Sequence, residues 1–453
     1  MRARVVVIGA GLAGLGAAWD LARRGCEVTL LERTGVPGGR SAGTIRDGYS
    51  LERGIPVVAS GDRRLFSWIH ETGLSGELLP LRPVESYQVF EGRVRAIRAV
   101  GGARVPRVPG LRRLDALRAL RLPRLMRRYR SQLDPEAPER AARWDDRSVA
   151  EFARLYFGTS GLERWVAPAI TAATLDDERE LSRVAFLLHR VAVTADPDTG
   201  RVGGHAGVPR RGLHELACAA ADRLRPRYEA RATELRGGRG ELQVDVEERK
   251  GGAPCSADAV VVATSASEAA RIAEPLLTAA ERDALTAARS LPGFVLSVAL
   301  DGSSAFHPRQ VRVPRPEASA IETWLEEPGA TGGRAPAGRG LVTAAAAAGF
   351  ARAHEAAPDD VVIKALCGEL ERLEPRLGRG ILFTHLERIV VPRFEVGAYR
   401  RLDRFQRVQR DLRRSGRRLY FAGDHLIGPR PEDALVSGLR AAEALAEDLG
   451  DAS

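Results

Sequence analysis

Four β-branched residues, Val5-Val6-Val7-Ile8, run without a break into Gly9-Ala10-Gly11-Leu12-Ala13-Gly14. Such a run offers no polar face to water and reads as a strand buried on both sides of a parallel sheet. Leu15 to Arg24 has helical composition and stops at Gly25, a residue suited to ending a helix. Glu27-Val28-Thr29-Leu30-Leu31 is a second strand, with Glu32 at its C-terminal end. Strand, G-x-G-x-x-G, helix, strand and carboxylate together make a complete βαβ dinucleotide-binding unit. Gly9, Gly11 and Gly14 let the backbone turn tightly and approach a diphosphate, and the helix N-terminus turns its amides toward that anion. Glu32 is placed to accept hydrogen bonds from ribose hydroxyls. A tight glycine turn with no ligand would need no such carboxylate.

A chain of 453 residues has room for two or three domains, and 44% hydrophobic with 28% charged content is that of a globular protein. The net charge of +10 raises the question of nucleic acid, yet the cations are spread along the chain and aromatics are only 5%. No nucleic-acid partner is expected, while a basic surface favours an anionic substrate or acidic lipid. Cys26, Cys218, Cys255 and Cys367 are isolated, so neither disulfides nor a metal site is expected. The chain starts at the nucleotide-binding strand and has no apolar run near eighteen residues. It reads as cytoplasmic, with contact at a membrane surface left open.

That opening comes from residues 107–133. Leucines recur there at near-helical spacing, interleaved with Arg112, Arg113, Arg118, Arg121, Arg124, Arg127, Arg128 and Arg130, and Pro123 is expected to break or kink the helix. Two readings stand: a helix pair with an apolar face on the core, or an interfacial segment on anionic lipid. Elsewhere, residues 61–80 read as a helix followed by a turn at Gly73, Glu85 to Arg95 as a strand and then a turn at Glu91-Gly92, and Asp134 to Asp146 as a loop. Ser148 opens a helix through a capping-box pattern with Glu151. Leu213 to Leu224 reads as a helix. Tyr228–Thr233 and Leu242–Glu247 read as strands joined by a turn at 236–240. Ala257–Thr264, Phe294–Leu300, Val311–Val313 and Leu341–Gly349 read as strands, and Asp359–Leu373 as a helix.

Gly38-Gly39-Arg40 after the second strand has no purpose in a nicotinamide-binding unit. It resembles the flavin-dependent group of amine oxidases, phytoene desaturases and protoporphyrinogen oxidases, where such a segment lies along FAD. The resemblance extends to Asp47–Pro56, with Gly54 beside the cofactor although Ile55 interrupts the expected Gly-Pro. It includes Ala230–Ala232 at the adenine end. At the far terminus Leu419-Tyr420-Phe421-Ala422-Gly423-Asp424 is followed by an Ala/Gly-rich helix through Ala434. In the middle, Ser148–Gly158, Trp165–Pro168, Glu180–Ser182 and Pro392–Tyr399 resemble protoporphyrinogen oxidases most, with Arg393, Phe394 and Ala398 departing from that pattern.

The resemblance implies an α/β fold: a Rossmann-type FAD domain (1–80, 205–285 and 395–453) and an α+β substrate domain (81–204 and 286–394). It implies FAD held by Gly9, Gly11, Gly14, Glu32, Arg33, Gly38, Gly39, Arg40, Gly54, Ala232, Gly423, Asp424 and Ala434. The expected reaction is dehydrogenation of a hydrophobic small molecule by hydride transfer to flavin, with O2 or another acceptor reoxidising it. A porphyrinogen, whose propionates make it anionic, comes first, and a polyene, terpenoid, amine or other secondary metabolite second. Only Lys250 and Lys364 are available for the flavin-side lysine of amine oxidases. No catalytic residue is assigned. His425 is the one titratable group the motif brings near the flavin, against the plainer reading of a loop histidine. Arg393 and Arg430 are candidates for substrate carboxylates. A flavin-free lipid-binding escort of the Rab GDP-dissociation inhibitor type shares the fold and is the alternative of a different class.

Overall fold

In the computed structural model, which describes residues 2–59, 61–79, 81–97, 107–193, 206–237, 241–249, 251–302 and 305–450, the opening run forms a strand, Arg4–Ile8, inside a four-stranded parallel sheet. The strands lie in the order Leu419–Phe421, Ala259–Val262, Arg4–Ile8 and Glu27–Leu31. Alternate side chains of Arg4–Ile8 feed two cores. Val5 and Val7 pack with Leu15, Ala18 and Leu435, and Val6 and Ile8 with Leu235, Val244, Leu402 and Phe405. Neither face meets water, which is why the run carries no polar residue.

The register aligns Ile8 with both Val262 and Leu31, and Val262 with Phe421. Loops from both ends and the middle of the chain therefore leave one C-terminal edge, where open α/β sheets bind ligands. The first helix (Leu12–Arg23) and the last (Pro431–Gly450) cross closely beside it. A Cβ on Gly438 would sit 1.9 Å from the Ala13 carbonyl oxygen, so only glycine permits the crossing.

A second, seven-stranded sheet runs Ile381–Pro392, Ser290–Leu300, Gly340–Ala346, Ile321–Pro328, Arg309–Arg312, Glu85–Phe90 and Arg93–Ala96. Its neighbours are antiparallel except Arg309–Arg312 against Glu85–Phe90, which are parallel. A helical cluster built on Leu122, Leu125, Phe152, Phe157 and Phe186 forms a separate core. The mixed α/β architecture is that expected.

Local readings needed correction where tertiary contacts intervened. The turn expected at Glu91-Gly92 is present, with both residues at positive φ, and beyond it the chain returns as a second strand, Arg93–Ala96, that completes a hairpin. The strand expected from Tyr228 starts at Arg231, because Ala230 instead donates to the Glu32 carbonyl at 2.9 Å. Leu341–Gly349 ends as a strand at Ala346 and continues as the helix Ala348–Ala353. The interruption expected at Pro123 is present: the helix Arg113–Arg118 gives way to a 3-10 turn, Ala119–Arg121, and Pro123 stands in the first turn of the helix Leu122–Tyr129 that follows. The expected loop 134–146 contains a 3-10 helix, Pro138–Trp144, anchored by buried Pro138 and Ala141. Trp165–Pro168 is helical, reached through a wide π turn at Leu162–Val166 that accommodates the proline's missing donor. Most of the turn expected at 236–240 lies outside the described residues.

Candidate active site

The glycine loop shows why each glycine is required. A Cβ on Gly14 would lie 1.7 Å from the Gly9 carbonyl oxygen, so Gly14 serves the turn itself. Gly9 has φ +101 and its Cβ would meet the Ala263 carbonyl oxygen at 2.6 Å. A Cβ on Gly11 would meet no protein atom within 4 Å, because Gly11 faces an open cavity. Its bare backbone is left for a ligand to approach. Gly38 donates to the Ala10 carbonyl at 2.8 Å and bridges to Gly11. A Cβ on Gly39 would stand 3.3 Å from the Gly11 Cα. Gly38-Gly39 is thus pressed against the glycine loop, at φ +102 and +58.

Glu32 is held rigidly at the same edge. Its carboxylate accepts from the Ala10 amide at 2.8 Å and from the Thr34 amide and hydroxyl at 2.9 and 2.8 Å. Arg40 donates to Asp424 and to the Pro429 carbonyl at 3.0 Å, which ties the N-terminal motif to the C-terminal one. The Gly423 amide donates to Ser437 Oγ at 2.8 Å, fastening the same loop to the last helix.

One cavity of about 1960 Å³ joins these parts. Gly9, Gly11, Glu32, Arg33, Gly38, Gly39, Arg40, Gly54, Ala232, Gly423, Asp424, His425, Arg430 and Ala434 line it; Gly14 and Arg393 do not. Ligand pockets run to roughly 300–1,000 Å³, so this chamber has room for a dinucleotide and a second molecule. The open face of Gly11 and the two unpartnered, buried ring nitrogens of His425 fit a polar cofactor at that end. Burial lowers the His425 pKa, so the ring is neutral, with one donor and one acceptor to offer.

A family model described as flavin-containing amine oxidoreductase matches residues 12–446. The chain belongs to that family. The dinucleotide of the cavity is therefore FAD, and the protein is an oxidoreductase of the flavin class rather than a flavin-free escort. Local stretches resemble curated relatives. The neurosporene-forming phytoene desaturase of Rhodobacter capsulatus is 42% identical over 65 residues, 14% of this chain and 12% of its own. The chloroplastic/mitochondrial protoporphyrinogen oxidase 2 of Arabidopsis thaliana is 31% identical over 90 residues, 20% of this chain and 18% of its own. These matches span less than a fifth of either relative. The fold is also that of putrescine oxidase, with TM-score 0.76 and 16% identity over 99% of both chains.

The two arginines nominated for substrate carboxylates have other partners. Arg393 is buried off the cavity, bonded to Asp176 at 2.7 Å and to Glu180. Arg430 lines the cavity but donates to Asp62 at 2.6 Å and Asp433 at 2.5 Å. Burial disfavours its charge, and Asp433 and Asp62 outweigh that, leaving its pKa above the usual guanidinium value. Of the two lysines, Lys364 is exposed on the helix Asp359–Leu373 and Lys250 lies outside the described residues.

Sequence reasoning passed over several cavity residues, among them Thr264, His189, Arg190, Gln310 and Arg312. Thr264 was legible as the end of the strand Ala259–Val262. The others carry no motif, and in a chain this rich in arginine nothing distinguishes a buried one. When bound, FAD supplies the hydride-accepting centre. Gly11, with open space where a side chain would stand, and the paired Arg40 and Asp424 line the cavity and are the residues that would hold its diphosphate.

Proposed function

We propose that the protein dehydrogenates a hydrophobic substrate at FAD, with protoporphyrinogen or coproporphyrinogen as first choice and O2 as acceptor. The observation that carries this reading is the continuity of the cavity from Gly11 and Glu32 to an apolar wall of Val191, Val193, Val295, Ile389 and Val391. On this reading residues 1–80, 205–285 and 395–453 serve the cofactor, and 81–204 and 286–394 the substrate. A desaturase or oxidase of a polyene or other secondary metabolite is the runner-up, favoured by the local likeness to the phytoene desaturase.

The same reading includes contact with a lipid surface. Leu114, Leu117 and Leu120 are 73%, 57% and 41% exposed. They stand among the exposed Arg112, Arg113, Arg121 and Arg124. Leu120, Arg124 and Arg127 are at once exposed and part of the cavity wall, so the chamber reaches the surface beneath this ridge. Apolar side chains with basic neighbours suit an anionic lipid interface. Among the described residues no helix is long and apolar enough to cross a membrane.

Aerobic incubation with protoporphyrinogen, coproporphyrinogen and phytoene tests the substrate reading. Porphyrin fluorescence should rise with one of the first two. Absence of turnover on both porphyrinogens removes the first choice.

A further inference from the structure

Away from the glycine loop the cavity wall acquires positive charge. Gln310 and Arg312 are two apart on the strand Arg309–Arg312 and share one face, while Val311 between them is fully buried on the other. The parallel register sets Gln310 beside Ser86 and Arg312 beside Gln88, and all four line the cavity. His189 and Arg190, from the helix Arg183–Ala192, line it too, and both feel the charge of Arg312. Burial pulls the Arg190 pKa down to about 10, which leaves it cationic at neutral pH, and holds His189 neutral.

Arg312 has no carboxylate partner among the described residues, and burial alone lowers its pKa. Among the described residues, the carboxylates that line the cavity are committed elsewhere. Glu32 is bonded to Ala10 and Thr34, Glu52 to His214, Asp62 to Arg430, Glu268 to Arg271 and Asp424 to Arg40. An uncompensated guanidinium beside apolar walls is costly unless a ligand brings the counter-charge. A guanidinium matches a planar carboxylate in a bidentate pair.

We infer that Arg312, flanked by Arg190, Gln88 and Gln310, forms a carboxylate subsite, so that the chamber selects an amphipathic acid and turns away amines. A bare polyene would leave Arg312 unsolvated, and an ammonium would be repelled by its guanidinium group. Among members of an amine oxidoreductase family this chain is thus built for the opposite charge. The inference rests on the cavity being the substrate chamber beside FAD.

The test is titration of the flavin-loaded protein with decanoate, decanol and decylamine, followed by calorimetry and by perturbation of the visible flavin spectrum. Decanoate should bind about tenfold more tightly than decanol, and decylamine more weakly than either. Arg312→Gln should erase the preference for the acid, and Arg312→Lys should keep part of it. Equal binding of decanoate and decanol to the wild type, or an undiminished preference in R312Q, overturns the subsite. If R312Q fails to fold, the wild-type preference together with R312K decides. Binding needs no turnover, so the two readings fail separately. A protein that prefers decanoate but oxidises neither porphyrinogen nor phytoene refutes only the proposed reaction. One that oxidises a porphyrinogen without an acid preference refutes only the subsite.

Discussion

Arg40 donates to the carboxylate of Asp424, closing an ion pair between residues 384 positions apart. Both side chains are partly buried on the cavity wall, and Arg40 also holds the Pro429 carbonyl. The pair fastens the Gly-Gly-Arg segment to the Gly-Asp segment, so either motif without the other leaves the cofactor cradle half built.

Arg40→Met should therefore weaken flavin binding, because it leaves Asp424 as an uncompensated negative charge beside an anionic cofactor. Loss of one partner of a partly buried charged pair costs about 1–3 kcal/mol, or roughly ten- to hundredfold in affinity. The ratio of bound flavin to protein after dialysis should fall. A variant that keeps its full flavin complement would contradict the role.

Gly11 and Gly14 should respond differently to the same change. Gly14→Ala drives a methyl into the Gly9 carbonyl and should destabilise the apoprotein itself. Gly11→Ala meets open space, so the apoprotein should melt near the wild-type temperature while flavin retention drops. Thermal melts of flavin-stripped protein beside the flavin content of the holoprotein separate the two effects.

Glu322 offers a pH signature. Burial pushes its pKa up to about 7, while the Thr171 hydroxyl, which donates to it, acts the other way. The folded carboxyl thus stays protonated to higher pH than in the unfolded chain, near 4.3. Its contribution is present at low pH and is lost as pH rises through about 7. Glu322→Gln removes that titration and should gain on the wild type by on the order of 1–3 kcal/mol at pH 8 relative to pH 5. A parallel pH dependence of the two melting curves would refute this.

The leucine ridge can be tested without disturbing the core. Replacing Leu114, Leu117 and Leu120 together by Ser should change stability by no more than about 0.5 kcal/mol per site, since all three are exposed. Co-sedimentation with phosphatidylglycerol vesicles should be strong for the wild type and largely lost in the triple variant. Equal sedimentation of both proteins would dismiss the lipid contact.

The cofactor end was legible because its signals are local or recur in fixed order. Val5–Ile8 announces a strand buried on both faces, Gly9–Gly14 a turn that only glycine makes, and Glu32 a carboxylate at the strand end. Gly38-Gly39-Arg40 and Gly423-Asp424 were readable by resemblance as two halves of one site, although their meeting through Arg40 and Asp424 was not. Arg393 and Arg430 show the opposite case. Each is an arginine in a suggestive segment, and each is bonded to acids that lie far away in sequence or in a turn whose geometry no pattern reveals.

By itself the sequence determined the parallel sheet and the dinucleotide loop, because backbone conformation and β-branched burial are written in neighbouring residues, and its resemblance to a known family implied the flavin class. Only the tertiary structure decided which arginines face the cavity. That choice depends on strand register, which sets Arg312 beside Gln88, and on which carboxylates are already bonded elsewhere. Neither follows from residue spacing in a chain where arginine is everywhere.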